Sequence, residues 1–391
     1  MNILCLYSDW RWTGPAEPVI QMCLGLQQRG HRLFFACRKM PAGIHEVEEN
    51  VPDKARAAGL QVTTEFALDR YMGIGHTLHD LVALPRFLRQ QKIEVLHAHL
   101  SHDQALGVLC GRLRGAARPL LVKTLHRRKV PPATWLHRLG LSGPLSADGA
   151  FVFTPAFRLQ YIERFGLNPD SIALQPLTID LERFRPDRTW RPMRPVFGIA
   201  ADAVVIGIVT RFQEYRRMDT FVEAAARVVA RRPHVRFLLL GWSGQIEETV
   251  LNPVRQHGLE KQVIIGGYRT DDYDDTLACM DIFTLIMPGY DGTARAVREA
   301  MAMGKPCVVS DVGMLPEIVQ HDRTGLVTEL TVAGLESSWM RLVDEAGTRR
   351  KLGQAARDYA TTNFRIAHMA ETVEQTYERW LRRRSRARST P

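Results

Sequence analysis

Short apolar segments recur along the chain of 391 residues, each followed by a polar loop and a longer segment typical of a helix. Examples of the apolar segments are NILCLY at 2–7, VVIGIVT at 204–210 and DIFTLIM at 281–287. Runs of this length that are apolar throughout predict strands buried on both faces. The repeated order of strand, polar loop, helix and strand therefore predicts an α/β protein with doubly wound parallel sheets.

The pattern predicts two such sheets, one before residue 187 and one after residue 203. The strands predicted in the first half are 2–7, 31–37, 62–63, 93–98, 120–124, 151–154 and 172–175, and the helices are 19–29, 78–91, 104–114 and 155–165. The strands predicted in the second half are 204–210, 236–241, 263–267, 281–287 and 307–310, and the helices are 272–280, 294–303, 333–346, 349–363 and 367–384.

The stretch 187–202 is rich in Pro and Arg and shows no periodicity, so it is predicted to be a linker. It separates a first domain at 1–186 from a second domain at 203–366. A chain that is 45% hydrophobic and 24% charged is globular and can bury two cores.

Composition also restricts the location and the partners. No apolar run approaches the roughly 18 residues of a membrane span, and the start of the chain does not resemble a secretory signal because Asp9 comes too early. The six cysteines form no CxxC pair, which favours reduced thiols in a cytoplasm. The net charge of +10 favours a negatively charged partner. Since no nucleic-acid module is evident, an anionic membrane surface fits better than a nucleic acid.

The loop between Pro288 and Ala294 joins a predicted strand to a predicted helix. In a parallel sheet such a loop lies at the carboxyl end of a strand, where these sheets bind ligands. Its glycine allows close approach of a ligand, and the free N–H groups at the helix start attract phosphate. Glu299 lies too far along the helix to be a cap, but its carboxylate can accept from two ribose hydroxyls. The segment therefore predicts a nucleotide site.

The same segment carries a family resemblance. Asp291 and Glu299 stand eight positions apart in DGTARAVREAMAMGKP, which is followed by VVSDVGMLPE and TGLV. This order resembles the acidic-x7-Glu signature of retaining, family-4-type glycosyltransferases with the GT-B fold. The resemblance implies two Rossmann-like domains that face a central cleft, the first on the acceptor side and the second binding the nucleotide sugar. It also implies that a C-terminal helix at 367–386 packs back on the first domain.

The resemblance also implies roles for single residues. Glu299 is expected to bind the ribose of a nucleotide sugar, and Asp291 to contact hydroxyls of the transferred sugar. The backbone of the loop and helix start is expected to hold the diphosphate, namely Gly292, Thr293, Ala294 and Arg295.

Two departures from the family pattern bear on the donor. Asp291 is one methylene shorter than the usual Glu, so its reach to the sugar changes. Arg295 stands where the family has Leu. Its cation can strengthen donor binding or recognise an acidic sugar, or it can form an i,i+4 ion pair with Glu299, which is worth only a few tenths of a kcal/mol.

The sequence RFQEYRR at 211–217 resembles the family pattern G-R-x-x-x-x-K-G. Arg211 matches the pattern directly, Arg216 stands in place of Lys, and Arg217 in place of Gly. In the family these cations clamp the donor diphosphate, and stabilisation of a leaving group in this way contributes several kcal/mol to catalysis. Guanidinium and ammonium groups both suit phosphate.

Weaker matches concern four further positions. Tyr268 and Arg269 follow a predicted strand at the place where relatives hold the donor base. Gly14, in TGPAE, corresponds to a glycine pair that lies near the donor phosphates and the acceptor in the family, and a plain turn glycine is the alternative. His126 follows LLVKTL at a strand end, where the family has a histidine that faces the transferred sugar. The alternative for His126 is a loop histidine whose hydrogen bonds are made within the protein.

Two clusters of polar residues could be interpreted as metal sites, but in neither cluster is metal binding favoured. The histidines of HAHLSH at 97–102 cross from a strand end into a loop with no evident acidic or cysteine ligand. The aspartates of TDDYDD at 270–275 are interpreted as caps of a helix start. No metal and no cofactor is expected, because the family's fold needs neither.

Two segments are candidates for contact with lipid headgroups. Between 127 and 148, the apolar side chains of Trp135, Leu136 and Leu139 lie among basic residues. A solvated loop with a short helix facing the core is the alternative. The tail WLRRRSRARST is either a membrane-surface anchor or a frayed basic terminus.

Together these observations predict a retaining glycosyltransferase that uses a UDP-, GDP- or ADP-sugar and a glycan or lipid-linked acceptor. Envelope polysaccharide or lipopolysaccharide synthesis in bacteria is the expected setting, in the cytoplasm or at the inner face of the plasma membrane. No side chain is an evident covalent nucleophile, so the family's front-face mechanism is expected. The alternatives are a nucleotide-sugar 2-epimerase of the same fold and a catalytically silent GT-B binding subunit. The oligomeric state is left open.

Overall fold

The computed structural model describes residues 1–12, 14–41, 50–69, 71, 73–112, 118–126, 129–289 and 294–389. Within these residues the chain forms two compact units. One comprises Met1–Thr178 and Ile366–Pro391, and the other comprises Ile179–Arg365.

The first unit is built on a parallel sheet of seven strands in the order β3-β2-β1-β4-β5-β6-β7. The strands are β1 Asn2–Tyr7, β2 Arg32–Cys37, β3 Val62–Thr63, β4 Val95–Ala98, β5 Leu120–Thr124, β6 Gly149–Val152 and β7 Ile172–Leu174. From β1 the chain adds β2 and β3 on one side, and it then adds β4 to β7 on the other side. The predicted doubly wound sheet is confirmed.

Helices cover both faces of this sheet. They are α1 Ala16–Gln28, α2 Val51–Ala57, α3 Ile74–Gln90, α4 Ser101–Arg112, α5 Trp135–Leu141, α6 Pro155–Phe165 and α15 Ile366–Ser389. Alternate residues of β1 point to opposite faces. Ile3 and Cys5 pack in a core with α1, α2 and α15. We call these three helices the first layer. Leu4 and Leu6 pack in a second core that includes α3 and α4.

The helices α5 and α6 lie on the same face as α3 and α4. Phe151 of β6 packs in the core of the first layer, and the next residue, Val152, packs with Phe157 and Tyr161 of α6. Because neighbouring residues of a strand face opposite sides, α6 covers the side opposite the first layer. We call α3, α4, α5 and α6 the second layer.

The second unit repeats this plan with six parallel strands in the order β10-β9-β8-β11-β12-β13. The strands are β8 Val205–Val209, β9 Arg236–Leu240, β10 Val263–Gly267, β11 Ile282–Leu285, β12 Cys307–Ser310 and β13 Gly325–Thr328. The helices are α7 Met193–Val196, α8 Met218–Arg231, α9 Asn252–Gln256, α10 Tyr273–Ala278, α11 Arg295–Ala302, α12 Leu315–Ile318, α13 Val332–Asp344 and α14 Ala346–Asn363. Trp339 occupies the core, and its indole N–H donates to Thr284 Oγ1 at 2.9 Å.

Close helix packing attaches α15 to the first unit. A Cβ atom on Gly25 of α1 would lie 2.8 Å from the Cβ of Ala370, so glycine is what lets the two helices approach. Trp380 packs against Phe151 and donates to the Asp170 carbonyl at 2.7 Å.

Residues 179–202 belong to the second unit, although the boundaries predicted from the sequence place them partly in the first domain and partly in a linker. Ion pairs attach this stretch to α10 and to the start of β11. Arg183 and Arg188 both contact Asp274, at 2.8 and 3.3 Å, and Arg194 contacts Asp281 at 2.7 Å.

The aspartates lie at the start of α10 as predicted, Asp272 at the N-cap and Asp274 and Asp275 in the first turn, but their side chains are engaged elsewhere. The side chain of Asp272 makes no capping hydrogen bond and instead pairs with Arg269, while Asp274 and Asp275 pair with arginines of residues 183–191. A spacing that suits a capping residue cannot show that arginines distant in sequence arrive beside it. Helix α2 was also not predicted, although Asn50 caps it by accepting from the Asp53 N–H at 2.9 Å.

Two non-glycine residues hold left-handed backbone directly before a helix. Ala294, before α11, has φ 44° and ψ 49°, and Arg217, before α8, has φ 56° and ψ 42°. Left-handed backbone costs an L-residue about 1–2 kcal/mol, and extra freedom of the unfolded chain costs glycine about 0.4–1 kcal/mol. We expect Ala294→Gly and Arg217→Gly each to stabilise the fold by about 0.5–1 kcal/mol, as measured by urea unfolding.

Ala355→Gly in α14 is the matched control, because it places glycine in ordinary helical backbone. It should destabilise the protein by about 0.5–1 kcal/mol. If all three substitutions destabilise alike, the two left-handed positions are not strained.

Candidate functional site

The strand order of the second sheet reverses between β8 and β11, which are direct neighbours. In open parallel sheets, the crevice at the carboxyl ends of two such strands is the usual ligand site. The segment that starts at Arg211 follows β8, and the segment that includes Met287 and Pro288 follows β11. Two regions that the sequence predicts to bind the donor therefore meet at this edge.

Glu299 lies on α11 with 1% of its surface exposed. The Tyr273 hydroxyl donates to Oε2 of Glu299, and Arg295 Nε lies 3.1 Å from Oε1. Val297, Ala300 and Met301 bury the apolar face of the same helix and fix its rotation. A phenol and a guanidinium thus hold the carboxylate in one orientation. In this orientation it can accept hydrogen bonds from hydroxyl groups of a ligand.

The i,i+4 ion pair between Arg295 and Glu299, left open by the sequence, is present. The Arg295 side chain is 37% exposed, so its guanidinium also reaches solvent at the first turn of α11. Asp291, Gly292 and Thr293, predicted to contact the sugar and the diphosphate, lie outside the described residues. Ala294 directly precedes α11 and is buried.

The two predicted clamp arginines follow β8. Arg216 Nη1 donates to the Met287 carbonyl at 2.7 Å, and its guanidinium lies 4.9 Å from the ring of Tyr215. This contact holds a positive charge beside the carboxyl end of β11. Arg211 follows β8 and Thr210, and it is exposed. Cations in this position suit a diphosphate.

Tyr268 and Arg269 follow β10 and sit on the same edge of the sheet. The Tyr268 side chain is exposed. Arg269 Nε donates to Asp272 Oδ1 at 2.7 Å, and its guanidinium lies 5.6 Å from the Phe197 ring. Asp272 precedes Tyr273, so this ion pair fixes the start of the helix whose tyrosine orients Glu299.

Tyr273 is the functional candidate that sequence reasoning missed in the second unit. Its hydroxyl contacts Glu299 and its ring packs edge-on against Phe184 at 6.3 Å. The signal was an aromatic residue within an otherwise acidic run, TDDYDD, just before the strand that leads into the loop.

The other predicted site residues, Gly14 and His126, belong to the first unit. Its sheet reverses between β1 and β4, and Gly14 lies in the turn between β1 and α1. His126 follows β5, with its Nε2 atom 3.4 Å from Nδ1 of His99 and its ring 5.3 Å from that of Phe153.

His97 and His99 form a buried network below His126. His97 contacts the Tyr377 hydroxyl at 2.6 Å through Nδ1 and Thr124 Oγ1 at 2.8 Å through Nε2. Burial, together with nearby His126, lowers the pKa of His97 to about 3, and it lowers the pKa of His99 well below its usual value. Both imidazoles are therefore neutral near pH 7.

The structure adds Cys5 to the histidines as a conceivable metal ligand, with donor atoms of Cys5, His97 and His99 within 4.8 Å of one another. A metal would have to replace one of the two hydrogen bonds of His97, which already join β4 to β5 and to α15. The arrangement fits a packed polar core better than a metal site.

The low pKa of His97 predicts acid sensitivity. The neutral ring contributes stability that is fully present above the unfolded pKa of about 6.5 and is lost as the pH falls towards about 3. Across that window a single histidine changes the unfolding free energy by about 1.4 kcal/mol per pH unit. His97→Gln should therefore flatten the pH dependence between pH 6 and 4, measured by urea unfolding, whereas exposed His368→Gln should leave the slope unchanged. Equal slopes for all three proteins would exclude His97 as the source.

Asp103 ties the ends of β1 and β4 together at the reversal point. Its carboxyl group accepts from the N–H groups of Ser8, His99 and Leu100 at 3.0, 3.3 and 2.8 Å. Burial raises the pKa of Asp103 to about 7, although these three donors favour the charged form. An aspartate in the first turn of a helix usually serves the helix alone, so its sequence position did not indicate this role.

No helix of the described residues contains an apolar stretch long enough to cross a bilayer.

Two family models match successive parts of the chain. The model described as Glycosyltransferase Family 4 matches residues 13–183, and the model described as Glycosyl transferases group 1 matches residues 203–345.

Individual proteins are similar along most of their length. The N-acetyl-alpha-D-glucosaminyl L-malate synthase of Bacillus anthracis is 23% identical over 367 residues, which is 91% of either chain. The UDP-Gal:alpha-D-GlcNAc-diphosphoundecaprenol alpha-1,3-galactosyltransferase of Escherichia coli is 22% identical over 324 residues, covering 79% of this chain and 81% of that protein. The crystal structure of Anabaena HepE in complex with UDP superposes with a TM-score of 0.78 at 18% identity, covering 97% of this chain and all of that one.

Proposed function

We propose that this chain, which belongs to the family 4-like glycosyltransferases of the GT-B fold, transfers a sugar with retention from a nucleoside diphosphate to a hydroxyl of its acceptor. The observation that carries the proposal is the meeting of a buried, oriented carboxylate and two cationic side chains at one edge of the second sheet. We assign ribose binding to Glu299, which is buried and contacts the Tyr273 hydroxyl, and diphosphate binding to Arg211 and Arg216, which follow β8.

The reaction needs charge stabilisation more than a covalent catalyst. The bond between the anomeric carbon and the diphosphate oxygen breaks, and the acceptor oxygen bonds to that carbon from the same face. The proton of the acceptor hydroxyl passes to an oxygen of the leaving diphosphate. Arg211 and Arg216 stabilise the negative charge that develops on the diphosphate, and the bound geometry supplies the rest.

His126 is the proposed contact of the first unit with the transferred sugar. Its Nε2 atom lies 3.4 Å from His99 Nδ1, and His99 is neutral because burial lowers its pKa. An imidazole N–H held in this way can donate to a sugar hydroxyl. Gly14 and Asp291 are proposed neighbours of the donor phosphates and the sugar, respectively, on the strength of the family pattern.

We propose that no metal or cofactor takes part. The arginine side chains supply the positive charge that a divalent cation supplies to leaving phosphates in metal-dependent transferases. Addition of EDTA should therefore leave turnover unchanged.

The proposed acceptor is a glycan or a lipid-linked glycan of a bacterial envelope, handled at the inner face of the plasma membrane. Two facts support this setting. The Escherichia coli relative is named for a diphosphoundecaprenol acceptor, and the net charge of +10 favours an anionic surface.

Nucleotide release from UDP-, GDP- and ADP-sugars, with and without a lipid-linked acceptor extract, tests the proposal. One donor should turn over, and Glu299→Ala and Arg211→Ala should each lower that turnover by about 100-fold or more. The anomeric configuration of the product, read by NMR, reports retention directly. Release of a free nucleotide and an epimerised sugar would indicate the 2-epimerase instead. Nucleotide binding with no turnover under any condition would indicate a silent binding subunit.

A further inference from the structure

The second layer of the first unit exposes an unusual amount of apolar surface. On α3, Ile74, Leu78 and Val82 are 81%, 59% and 60% exposed. Their spacing of four residues places them in one stripe that extends about 12 Å along the helix. Single exposed apolar residues are ordinary, whereas a row of them indicates a contact surface.

The neighbouring helices also expose large apolar side chains. Leu109 of α4 is exposed, as are Trp135 and Leu136 of α5. Helix α4 packs against α3 and touches α5 through Gln104, whose amide donates to the Gly140 carbonyl. These side chains therefore belong to three adjoining helices of one layer. The sequence alternative in which α5 faces the core is wrong for Trp135 and Leu136, because α5 buries none of its residues.

The first layer gives an internal comparison within the same unit. Helices α1, α2 and α15 expose none of the large apolar side chains that the structure describes. The apolar surface is thus a property of one face of the sheet and not of the whole unit.

Charge on the second layer identifies the partner. Exposed arginines of its helices are Arg86, Arg89, Arg138 and Arg164. Among its described residues the only exposed carboxylate is Glu163, since Asp80 and Asp103 are buried. Apolar side chains bordered by arginines and almost free of carboxylates suit the interface of an anionic bilayer, where the apolar groups enter the headgroup region and the arginines meet phosphates.

We propose that the outer face of α3, α4 and α5 is a docking surface for an anionic lipid bilayer. Helix α3 starts after the loop that follows β3, at the carboxyl edge of the sheet, and it runs back along the sheet towards β4. The start of the stripe, at Ile74, therefore lies at the same edge as Gly14 and His126. Bilayer contact at this edge brings a lipid-linked acceptor to the unit that carries His126, the proposed contact with the transferred sugar. This role in acceptor delivery rests on the proposed function, but the proposed binding of the surface to a bilayer does not.

Co-sedimentation of the full chain with vesicles tests the surface at physiological salt. Vesicles of phosphatidylglycerol and phosphatidylcholine should bind the wild type, and phosphatidylcholine alone should not. The double variant Leu78→Asp/Val82→Asp should lower binding to anionic vesicles by about tenfold or more. Arg86→Glu/Arg89→Glu should lower it by about fivefold for each arginine lost.

Val196→Asp and Arg350→Glu are the matched controls, because both residues are equally exposed but lie in the second unit. They should bind vesicles like the wild type. Circular dichroism and donor turnover in solution should be unchanged in every variant.

The proposal is overturned if the wild type does not bind anionic vesicles, or if Leu78→Asp/Val82→Asp binds them as well as Val196→Asp does. It is equally overturned if sedimentation requires no lipid and is lost in the double variant, because the face would then join two copies of the chain. Vesicle binding without turnover of any donor would contradict the proposed function and leave the surface standing.

Discussion

Glu299→Ala is expected to lower donor turnover by at least about 100-fold. The carboxylate is buried and oriented by Tyr273 and Arg295. It can therefore accept hydrogen bonds from two ribose hydroxyls without a further loss of side-chain conformational freedom. A hydrogen bond to a charged group contributes about 1.5–3 kcal/mol, and each 1.4 kcal/mol is about tenfold in affinity. Losing two such bonds therefore predicts a loss of about 100-fold to 10,000-fold in donor affinity.

The loss should appear in the dissociation constant of the nucleoside diphosphate, measured by calorimetry, as well as in kcat/KM. Glu299→Gln keeps the size of the side chain but loses its charge, and it should fall between the wild type and alanine. Tyr273→Phe should weaken nucleotide binding by about tenfold, because the carboxylate loses its orienting partner. Tyr359→Phe, a half-buried tyrosine of the same unit, should have no effect. Unchanged nucleotide affinity in Glu299→Ala would remove the ribose role.

Arg216→Ala is expected to lower kcat by about 100-fold to 1,000-fold, which is the usual loss when one preorganised donor to a developing negative charge is removed. Its contact with the Met287 carbonyl fixes the guanidinium at the carboxyl end of β11, so the charge is in place before the reaction starts. Arg211→Ala should show a similar loss. Because the charge on the diphosphate grows in the transition state, kcat should fall more than KM rises.

Arg217→Ala provides a matched control one position away. The Arg217 side chain points to Asp219 and to Thr220, whose Oγ1 atom accepts at 2.8 Å, and so it carries an exposed charge outside the clamp. Its kcat should equal that of the wild type. Arg216→Lys should keep part of the rate, because the family pattern has a lysine at this position. Equal losses for Arg216→Ala and Arg217→Ala would mean that net charge near the site matters and that no clamp exists.

Several features could be predicted because they depend on residues close together in the sequence. The strand before the loop at 288–294, the helix that carries Glu299 and the ion pair with Arg295 all follow from short runs or from an i,i+4 spacing. Helix starts were less accurate. Helix α3 begins at Ile74 and not at 78, and α1 begins at Ala16 and not at 19, because prolines and glycines near a first turn are tolerated there.

Other features are decided by chain segments that are distant in sequence. Tyr273 and Glu299 stand 26 positions apart, and Tyr377 and His97 stand 280 positions apart. Their hydrogen bonds exist only because α10 packs near α11 and because α15 returns to the first sheet. The arginines that pair with the aspartates of α10 belong to the same class of contact.

Both doubly wound sheets and the family signature around Glu299 could be predicted from the sequence alone, because apolar runs and motif spacings are local properties of the chain. Which side chains share a site and which remain on the surface depends on how the elements pack together. Ile74, Leu78 and Val82 could equally have faced a core, because an apolar stripe on a helix has the same sequence pattern whether another layer covers it or not. Their exposure became evident only once the sheet and its two layers were assembled.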